Sequence, residues 1–356
     1  MRILHIAPAQ FGEGGIVGGA ERYAQELASQ MAEEAPTTFA VFGDQSEERQ
    51  VGRLRMRVLG PARYVRGQRS NPITASLWSE IRQADVVHCH QQHVVASTLA
   101  SMACRFTGRK VFVSDLGGGG WDVSSYVSTD RWYHGHLHIS QYSRAVSGHQ
   151  GKPWAHVIYG GVNTEKFSPS SSVSKDGTVL FVGRLLPHKG IDDLIRAIPP
   201  DMTLEIIGRP YNPRYHQDLL KIAENKRVIF RLQCDDVALL DAYRRALCVV
   251  LPSVYRTMYG AESNIPELLG QTLLEGMACG TPAICTKVAS MPEVVRDRVT
   301  GFVVPPNDPD SLREKLLWLR QHQDEAVAMG QSARRDVLER FTWPVVVGRC
   351  LDIYRK

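Results

Sequence analysis

The chain has 356 residues, too many for one ordinary hydrophobic core and suited to two domains of roughly 150 to 200 residues each. With 43% hydrophobic and 22% charged residues, its composition is that of a globular protein and excludes the disordered and fibrous classes. No apolar run approaches the roughly 18 residues of a membrane span or forms a signal peptide, so we expect a cytoplasmic protein. The seven cysteines are an odd number without a CxxC pair, which predicts buried, reduced thiols.

The whole chain has a formal net charge of +5, and its positive charge is concentrated in one segment. No acidic residue occurs between positions 49 and 80, and this segment contains seven arginines: Arg49, Arg53, Arg55, Arg57, Arg63, Arg66 and Arg69. The Arg49–Arg69 region would suit an anionic acceptor or peripheral membrane contact. Because Arg53, Arg55 and Arg57 alternate with apolar neighbours, we favour the solvated face of a half-buried strand. We expect no nucleic-acid partner.

The first half of the chain alternates short β-branched runs with helical stretches, a βα repetition. These runs are RILHIA, TFAVF, RLRMRV, DVVHCH, KVFVS, HLHIS and AHVIY, with a helix beginning near Gly19. A second series contains TVLFVG, MTLEII, RVIF, LCVVL, PAICT and GFVV, with helices predicted over 235–246 and 270–279. Its strands are apolar nearly throughout, as in parallel sheets covered on both faces.

We therefore predict an α/β protein with two Rossmann-like, doubly wound domains facing across a cleft. The predicted boundaries are an N-terminal domain over 1–163, a linker rich in serine over 164–177, a C-terminal domain over 178–337, and a helix over 338–356 that crosses back to the first domain. Functional residues are expected on loops at the carboxyl ends of the strands.

A glycine-rich loop follows the first predicted strand, with glycines at positions 12, 14, 15, 18 and 19 before a helix. Glycine lets the backbone approach a ligand and leaves helix amides pointing at an anion. The spacing does not give GxGxxG, although Asp44 follows the second strand. A nicotinamide-dependent oxidoreductase is the alternative that this loop leaves open.

Two cations occupy the corresponding position in the second series, where VGRLLPHKG places Arg184 and Lys189 after a strand. A diphosphate suits this pair, since each charge-assisted hydrogen bond contributes about 1.5 to 3 kcal/mol. Further along, PELLGQTLLEGMACGTP places Gly270 at the opening of a helix whose first amides, Gln271 and Thr272, could bind phosphate.

Two glutamates flank that helix start. Glu267 and Glu275 are eight residues apart, which corresponds to roughly 12 Å if the segment is helical throughout. This distance approximates the span from the sugar to the ribose of a sugar nucleotide. Because a carboxylate accepts hydrogen bonds from paired hydroxyls, one glutamate could hold the sugar and the other the ribose.

These residues resemble a known family, the retaining glycosyltransferases of family 4 with the GT-B fold. The resemblance covers nearly the whole chain and rests on GGAER, YGGVNTEKFSP, VGRLLPHKG, PELLGQTLLEGMACGTPAIC, MPEVV and TGFVVPPND. It implies transfer of a hexosyl group, with retention of configuration, from a UDP- or GDP-sugar to an acceptor hydroxyl on a glycan, a lipid-linked molecule or a small molecule. It also implies that no cofactor or metal is required.

The resemblance further implies a role for each site residue. Arg184 and Lys189 would neutralise the donor diphosphate, Glu275 would hold the ribose hydroxyls, and Glu267 would bind the sugar beside the reacting carbon. Main-chain contacts would come from Gly270, Gln271 and Thr272 at the phosphate, from Gly18 and Gly19 in the opposite domain, and from Gly208 with residues near Leu232 at the base.

The sequence departs from the family pattern after the fifth strand of the first domain. Family members often present a histidine there, whereas this chain has Asp115 and Leu116. Asp115 is therefore the candidate polar neighbour of the reaction. If no group serves this role, the chain could be a catalytically silent sugar-nucleotide binding protein.

Three histidines at the end of DVVHCH and just after it could bind a metal or contact the acceptor. His88, His90 and His93 spell HxHxxH, but the strand explains the alternation and we expect no bound metal. His90 or His93 could instead contact the acceptor, because histidine transfers protons near neutral pH.

Overall fold

The computed structural model describes residues 1–8, 19–117 and 120–356. The chain divides into two compact units: unit 1 comprises Met1–Gly161 and Trp343–Lys356, and unit 2 comprises Val162–Thr342. The predicted linker, 164–177, lies within unit 2. Most of the glycine-rich loop, including Gly18, lies outside the described residues.

Unit 1 is built from alternating strands and helices. Its strands are β1 (Ile3–Ile6), β2 (Thr37–Phe42), β3 (Glu47–Val51), β4 (Leu54–Leu59), β5 (Arg63–Tyr64), β6 (Pro72–Ile73), β7 (Val86–Cys89), β8 (Lys110–Val113), β9 (Gly135–His138) and β10 (Ala155–Val157). Its first four α-helices are α1 (Gly19–Glu34), α2 (Ser76–Gln83), α3 (Val95–Thr107) and α4 (Gln141–Val146). On α1, Tyr23, Leu27 and Met31 recur every four residues and form its buried face.

The main sheet of unit 1 has eight strands in the order β10-β9-β8-β7-β1-β2-β4-β3. All neighbours pair in parallel except β3 and β4, which are antiparallel. The central strands β1 and β7 are buried along their whole length, as expected for strands covered on both faces. The edge strand β3 is exposed at every residue.

Unit 2 contains a second βα series. Its strands are β11 (Val179–Val182), β12 (Thr203–Ile207), β13 (Arg227–Arg231), β14 (Cys248–Leu251), β15 (Ala283–Thr286) and β16 (Gly301–Val304). Its helices are α5 (Ile191–Ala197), α6 (Pro213–Ile222), α7 (Asp236–Arg245), α8 (Gln271–Ala278), α9 (Met291–Val294), α10 (Pro309–Gln321) and α11 (Gln323–Arg340).

The sheet of unit 2 is entirely parallel, with the order β13-β12-β11-β14-β15-β16. Counted along the unit, this order is 3-2-1-4-5-6, that of a doubly wound nucleotide-binding fold. The order reverses between β11 and β14, which are hydrogen-bonded neighbours. In such sheets, ligands bind outside the carboxyl ends of the strands at this reversal. The predicted α/β fold with two Rossmann-like domains is confirmed.

The last helix, α12 (Trp343–Arg355), packs on unit 1. The Tyr354 hydroxyl lies 2.6 Å from Nδ1 of His88 in β7, and Lys110 Nζ donates to the Tyr354 carbonyl at 3.0 Å. A Cβ at Gly161 would lie 2.3 Å from the Trp343 ring, so a glycine is required at this contact. Among the described residues, no helix is long and apolar enough to cross a bilayer.

The arginine-rich strand β4 alternates as predicted, with Leu54 and Met56 buried and the intervening arginines on the other face. Arg55 lies 3.0 Å from Glu48 and 3.0 Å from Glu80, and Arg57 lies 2.7 Å and 3.1 Å from the same two carboxylates. The centre of the Arg49–Arg69 region is therefore an ion-pair network. Because Arg55 and Arg57 are already paired with carboxylates, their charge does not by itself favour an anionic ligand.

Candidate functional site

The loops after β11 and β14 meet at the point where the strand order of unit 2 reverses. The main-chain N–H of Val254, after β14, donates to the His188 carbonyl, after β11, at 2.9 Å. Gly190 has φ +64°, and a Cβ there would lie 2.0 Å from the Pro252 carbonyl oxygen. The sequence therefore folds into two closely packed loops at the predicted ligand-binding edge.

The contact at Gly190 predicts a specific loss of stability. Gly190→Ala should destabilise unit 2 by about 2 to 4 kcal/mol, because it adds a backbone clash to the strain of a left-handed residue. Gly260→Ala is a matched control: Gly260 has φ +78°, but a Cβ there would have nothing within 4 Å. The control should lose only about 1 to 2 kcal/mol in urea unfolding. Equal losses would contradict the inferred clash.

Lys189, in the loop after β11, forms an ion pair with Glu267, in the loop after β14. Lys189 Nζ donates to Glu267 Oε1, and the two side chains are only 12% and 10% exposed. Ser253 Oγ donates to the same oxygen at 3.1 Å. The cation predicted for diphosphate and the carboxylate predicted for sugar are therefore in direct contact. The sequence reasoning missed Ser253, although it follows β14 at the sheet edge.

Arg184 and His188 lie in the same loop. Arg184 is exposed, and its guanidinium lies 5.7 Å from the centre of the Tyr211 ring. Burial, and then the positive charge of Lys189, lowers the pKa of His188 to about 4. Its imidazole is therefore neutral at pH 7 and adds no charge to that of Arg184 and Lys189.

The helix start predicted at Gly270 is present, but the helix is shorter than the span between the two glutamates. Gly270 has φ +82° and precedes α8, which begins at Gln271 and continues with Thr272. Glu267 lies before the helix, so the 12 Å estimate, which assumed a helix throughout, does not apply. The N-terminal end of a helix carries partial positive charge, so the first turn of α8 suits an anion.

Glu275 lies inside α8 and is only 2% exposed. The Tyr243 hydroxyl, on α7, donates to Glu275 Oε2 at 2.8 Å. This hydrogen bond orients the carboxylate in a buried environment, where a charged group needs polar partners. Tyr243 lies in a helix that the sequence predicted, but its spacing gives no signal that its hydroxyl meets a glutamate 32 residues later.

A pocket of about 510 Å³ lies beside the ends of β12 and β13. It is lined by Ile207, Gly208, Arg209, Leu232, Gln233, Cys234 and Asp235. A Cβ at Gly208 would lie 1.8 Å from the Gly183 carbonyl oxygen, so the two strand ends require glycine to approach this closely. Gly208 and Leu232, both predicted near a nucleotide base, line the same pocket.

In unit 1, Asp115 follows β8, and its Oδ2 lies 3.9 Å from His93 Nε2. The His93 side chain is 47% exposed, and its Nδ1 lies 3.0 Å from Ser124 Oγ. Asp115 and His93, predicted separately, are therefore neighbours. Leu116 is 6% exposed and packs in the core, so it offers no polar group. Gly19 begins α1 and is exposed.

The structure buries His90, which the sequence offered as an acceptor contact. His90 is 3% exposed, and its Nε2 lies 2.9 Å from His5 Nδ1. The His90 and His88 rings stack with their centres 4.5 Å apart. Because His5 and His88 pack against it, His90 presents almost no surface to an acceptor. Only His93 of the two predicted histidines is accessible.

Within the described part of unit 1, two histidine trios have the spacing of metal ligands. The first trio consists of His5, His88 and His90, and the second consists of His136, His138 and His149. In each trio the possible ligand atoms lie within 4.8 Å of one another. In the first trio, Ser114 Oγ donates its proton to the Leu137 carbonyl. The hydroxyl oxygen therefore accepts a hydrogen bond from His88 Nε2. The other nitrogen of His88, Nδ1, accepts from the Tyr354 hydroxyl. Both nitrogens of His88 already have protein partners, so metal binding there would require their loss.

Each half of the chain matches a known protein family. Residues 162–336 match the family described as glycosyl transferases group 1, and residues 17–166 match the family described as glycosyltransferase family 4. The first match covers nearly all of unit 2, including Arg184, Lys189, Glu267 and Glu275. The second covers most of unit 1.

Two curated relatives illustrate the range of proteins that the chain resembles. The GDP-mannose-dependent monoacylated α-(1-6)-phosphatidylinositol monomannoside mannosyltransferase of Corynebacterium glutamicum is 30% identical over 240 residues, 61% of this chain and 60% of that protein. The D-inositol 3-phosphate glycosyltransferase of Streptomyces bingchenggensis is 27% identical over 224 residues, 56% and 47% respectively. The chain thus matches about half the length of these relatives.

The fold as a whole is similar to that of solved structures. Anabaena HepE, in complex with UDP, superposes with a TM-score of 0.75 over 99% of both chains at 19% sequence identity. Sucrose-phosphate synthase from Thermosynechococcus elongatus gives a TM-score of 0.73 over 99% of this chain and 98% of that one, also at 19% identity. The two family matches support a group 1 glycosyltransferase, and the likeness to solved structures supports the GT-B fold.

Proposed function

We propose that the protein transfers a hexosyl group from a UDP- or GDP-sugar to an acceptor hydroxyl, with retention of configuration and without a metal. The observation that carries this proposal is the ion pair between Lys189 and Glu267 at the strand-order reversal of unit 2. The pair lies at the edge where doubly wound sheets bind nucleotides, and this supports a phosphate role for the cation and a sugar role for the carboxylate.

We assign the diphosphate to Lys189, Arg184 and the first amides of α8. Lys189 and Arg184 supply fixed positive charge, and Gln271 and Thr272 supply helix-start N–H groups. Both charges would interact more strongly with the diphosphate as it gains charge on leaving the sugar, which lowers the barrier to transfer. Because these residues would neutralise the diphosphate, the transfer would need no metal ion.

We assign the sugar to Glu267 and the ribose to Glu275. Lys189 and Ser253 both donate to Glu267 Oε1. We therefore assign the other oxygen, Oε2, to sugar hydroxyls. The Tyr243 hydroxyl donates to Glu275 Oε2 and so orients the carboxylate that we assign to the ribose. The 510 Å³ pocket beside Gly208 and Leu232 is the proposed base site.

The chemical step that we propose is attack by the acceptor hydroxyl on the face that the diphosphate leaves. The bond from the anomeric carbon to the diphosphate breaks, the bond to the acceptor oxygen forms, and the departing diphosphate takes the acceptor proton. Lys189 and Arg184 would then stabilise the leaving group. Asp115, beside His93, is the proposed polar neighbour in unit 1.

A thermal-shift panel tests the donor assignment. UDP, GDP, their hexose conjugates and reduced nicotinamide dinucleotide are added in buffer containing EDTA. A ligand at a hundred times its dissociation constant should stabilise the protein by about 2.7 kcal/mol. We expect one nucleotide diphosphate series to raise the melting temperature and the dinucleotide to leave it unchanged.

The matched variant for this panel is Glu275→Gln, which keeps the side chain's shape and its hydrogen bond with Tyr243 but removes the charge. It should weaken binding of the active nucleotide about tenfold, because hydrogen bonds to charged groups exceed neutral ones by about 1.4 kcal/mol. Stabilisation by the dinucleotide alone would favour the oxidoreductase alternative. Binding of a sugar nucleotide without slow hydrolysis or transfer would favour the silent binding protein.

A further inference from the structure

Helix α3 is apolar on the side that faces solvent. Its large hydrophobic residues Leu99, Met102 and Phe106 are 47%, 41% and 84% exposed. The helix also has a buried stripe, which includes Ala96, Ala100 and Cys104 of the hydrophobic core. A surface helix of a globular protein normally carries polar residues on the face opposite its buried stripe. The outward face of α3 instead carries three large apolar side chains, as at an interaction site.

Helix α2 lies beside α3 and extends this face. Arg109, which follows α3, donates to the Arg82 carbonyl at the end of α2 at 2.7 Å. Asn71, which precedes α2, accepts from the Val95 N–H at the start of α3 at 2.8 Å. The two helices thus run side by side in the same direction. Trp78, on α2, is 46% exposed.

Positive charge accompanies the apolar residues on these helices. Arg82 and Arg105 are exposed, whereas Glu80, the single acidic residue in the sequences of α2 and α3, is 3% exposed. Glu80 is also paired with Arg55 and Arg57 of β4. The carboxylate nearest in sequence, Asp85, pairs with Arg2. The outer face of α2 and α3 therefore combines exposed apolar side chains with a local excess of positive charge.

We propose that the outer face of α2 and α3 docks on anionic lipid bilayers. Trp78, Leu99, Met102 and Phe106 enter the boundary between headgroups and acyl chains, and Arg82 and Arg105 contact the anionic headgroups. A second copy of the chain fits less well, since a two-fold contact of this face would set its arginines against each other. This inference does not depend on the proposed sugar transfer.

Vesicle co-sedimentation tests the docking. Vesicles of phosphatidylcholine containing about one-third phosphatidylglycerol are compared with pure phosphatidylcholine, because basic residues bind anionic lipid at low ionic strength. The test variant is Leu99→Gln/Met102→Gln/Phe106→Gln. The matched control is Val237→Gln/Val327→Gln/Leu338→Gln, which removes three apolar helix residues of unit 2 that are 79%, 50% and 43% exposed. Thermal unfolding checks that all three proteins are folded.

We expect the wild type and the control to bind the anionic vesicles and the test variant to lose at least about tenfold in partition coefficient. Arg82→Glu should lower it at least about fivefold, with the effect fading at high salt. Failure of the wild type to bind, or equal binding by the test variant, would overturn the proposal. So would a wild-type dimer in sedimentation velocity that the test variant converts to monomer without any vesicle binding.

Discussion

Replacing Lys189 by methionine should lower turnover of the sugar nucleotide about 100- to 1,000-fold, equivalent to about 2.7 to 4 kcal/mol of transition-state stabilisation. Methionine retains most of the side chain's length but removes the charge that contacts Glu267. That charge is held in a largely buried loop, where solvent screens it weakly. Turnover is measured with saturating donor, as release of the nucleotide diphosphate per folded enzyme.

Loss of stability must be separated from loss of chemistry in this variant, because Lys189→Met leaves the Glu267 carboxylate buried without its cation. Lys189→Met/Glu267→Gln removes that unpaired charge and should recover stability without recovering turnover. The control is Lys166→Ala, which breaks a more exposed pair with Asp236 in the same unit. It should leave activity within about twofold, as surface pairs contribute little. Near-full turnover in folded Lys189→Met would refute the assigned role.

Acid should destabilise unit 1 well before the carboxylates protonate. Burial lowers the pKa of His5 and His138 to about 3 and that of His136 to about 4, and it holds the pKa values of His88 and His90 well below 6.5. In the unfolded chain a histidine titrates near 6.5. The stability from these neutral imidazoles is therefore fully present above about pH 6.5 and is lost as pH falls toward the folded values.

The expected loss of stability is large, because each such histidine changes the free energy of unfolding by about 1.4 kcal/mol per pH unit in this range. Between pH 6.5 and pH 5 the free energy of unfolding of unit 1 should fall by several kcal/mol, on the order of a domain's whole stability. Urea unfolding at intervals across this range measures it. His5→Asn, made in one trio only, should reduce the slope. A free energy of unfolding that is flat from pH 6.5 to pH 5 would contradict the lowered pKa values of these five histidines.

Much of the fold could be predicted from sequence because the parallel strands are nearly uniform apolar runs. In unit 2, for example, GFVV and TVLFVG coincide with β16 and β11 to within a residue at each end. Strand β3 was missed since EERQV has no apolar alternation and is exposed throughout. The pairing of Arg55 and Arg57 with Glu80 was also inaccessible, because the partners come together only when α2 packs beside β4.

The candidate site was predictable where local spacing determines it. Gly270 before α8, and the two cations after β11, follow from glycine and strand-end patterns. The contact of Lys189 with Glu267 spans 78 residues and depends on β11 and β14 being neighbours, which no local pattern specifies. The burial of His90 was not predicted, because a strand-end position alone does not tell whether neighbouring strands cover the side chain.

The central claim is that a diphosphate binds at Lys189 and Arg184, and isothermal titration of wild type and of Lys189→Met/Arg184→Met tests it most directly. Each protein is titrated with the nucleoside diphosphate active in the thermal-shift panel and with the corresponding monophosphate. The wild type should prefer the diphosphate by about 100-fold or more, roughly two charge-assisted contacts, and the double variant should lose that preference. An unchanged preference in the double variant would contradict the claim.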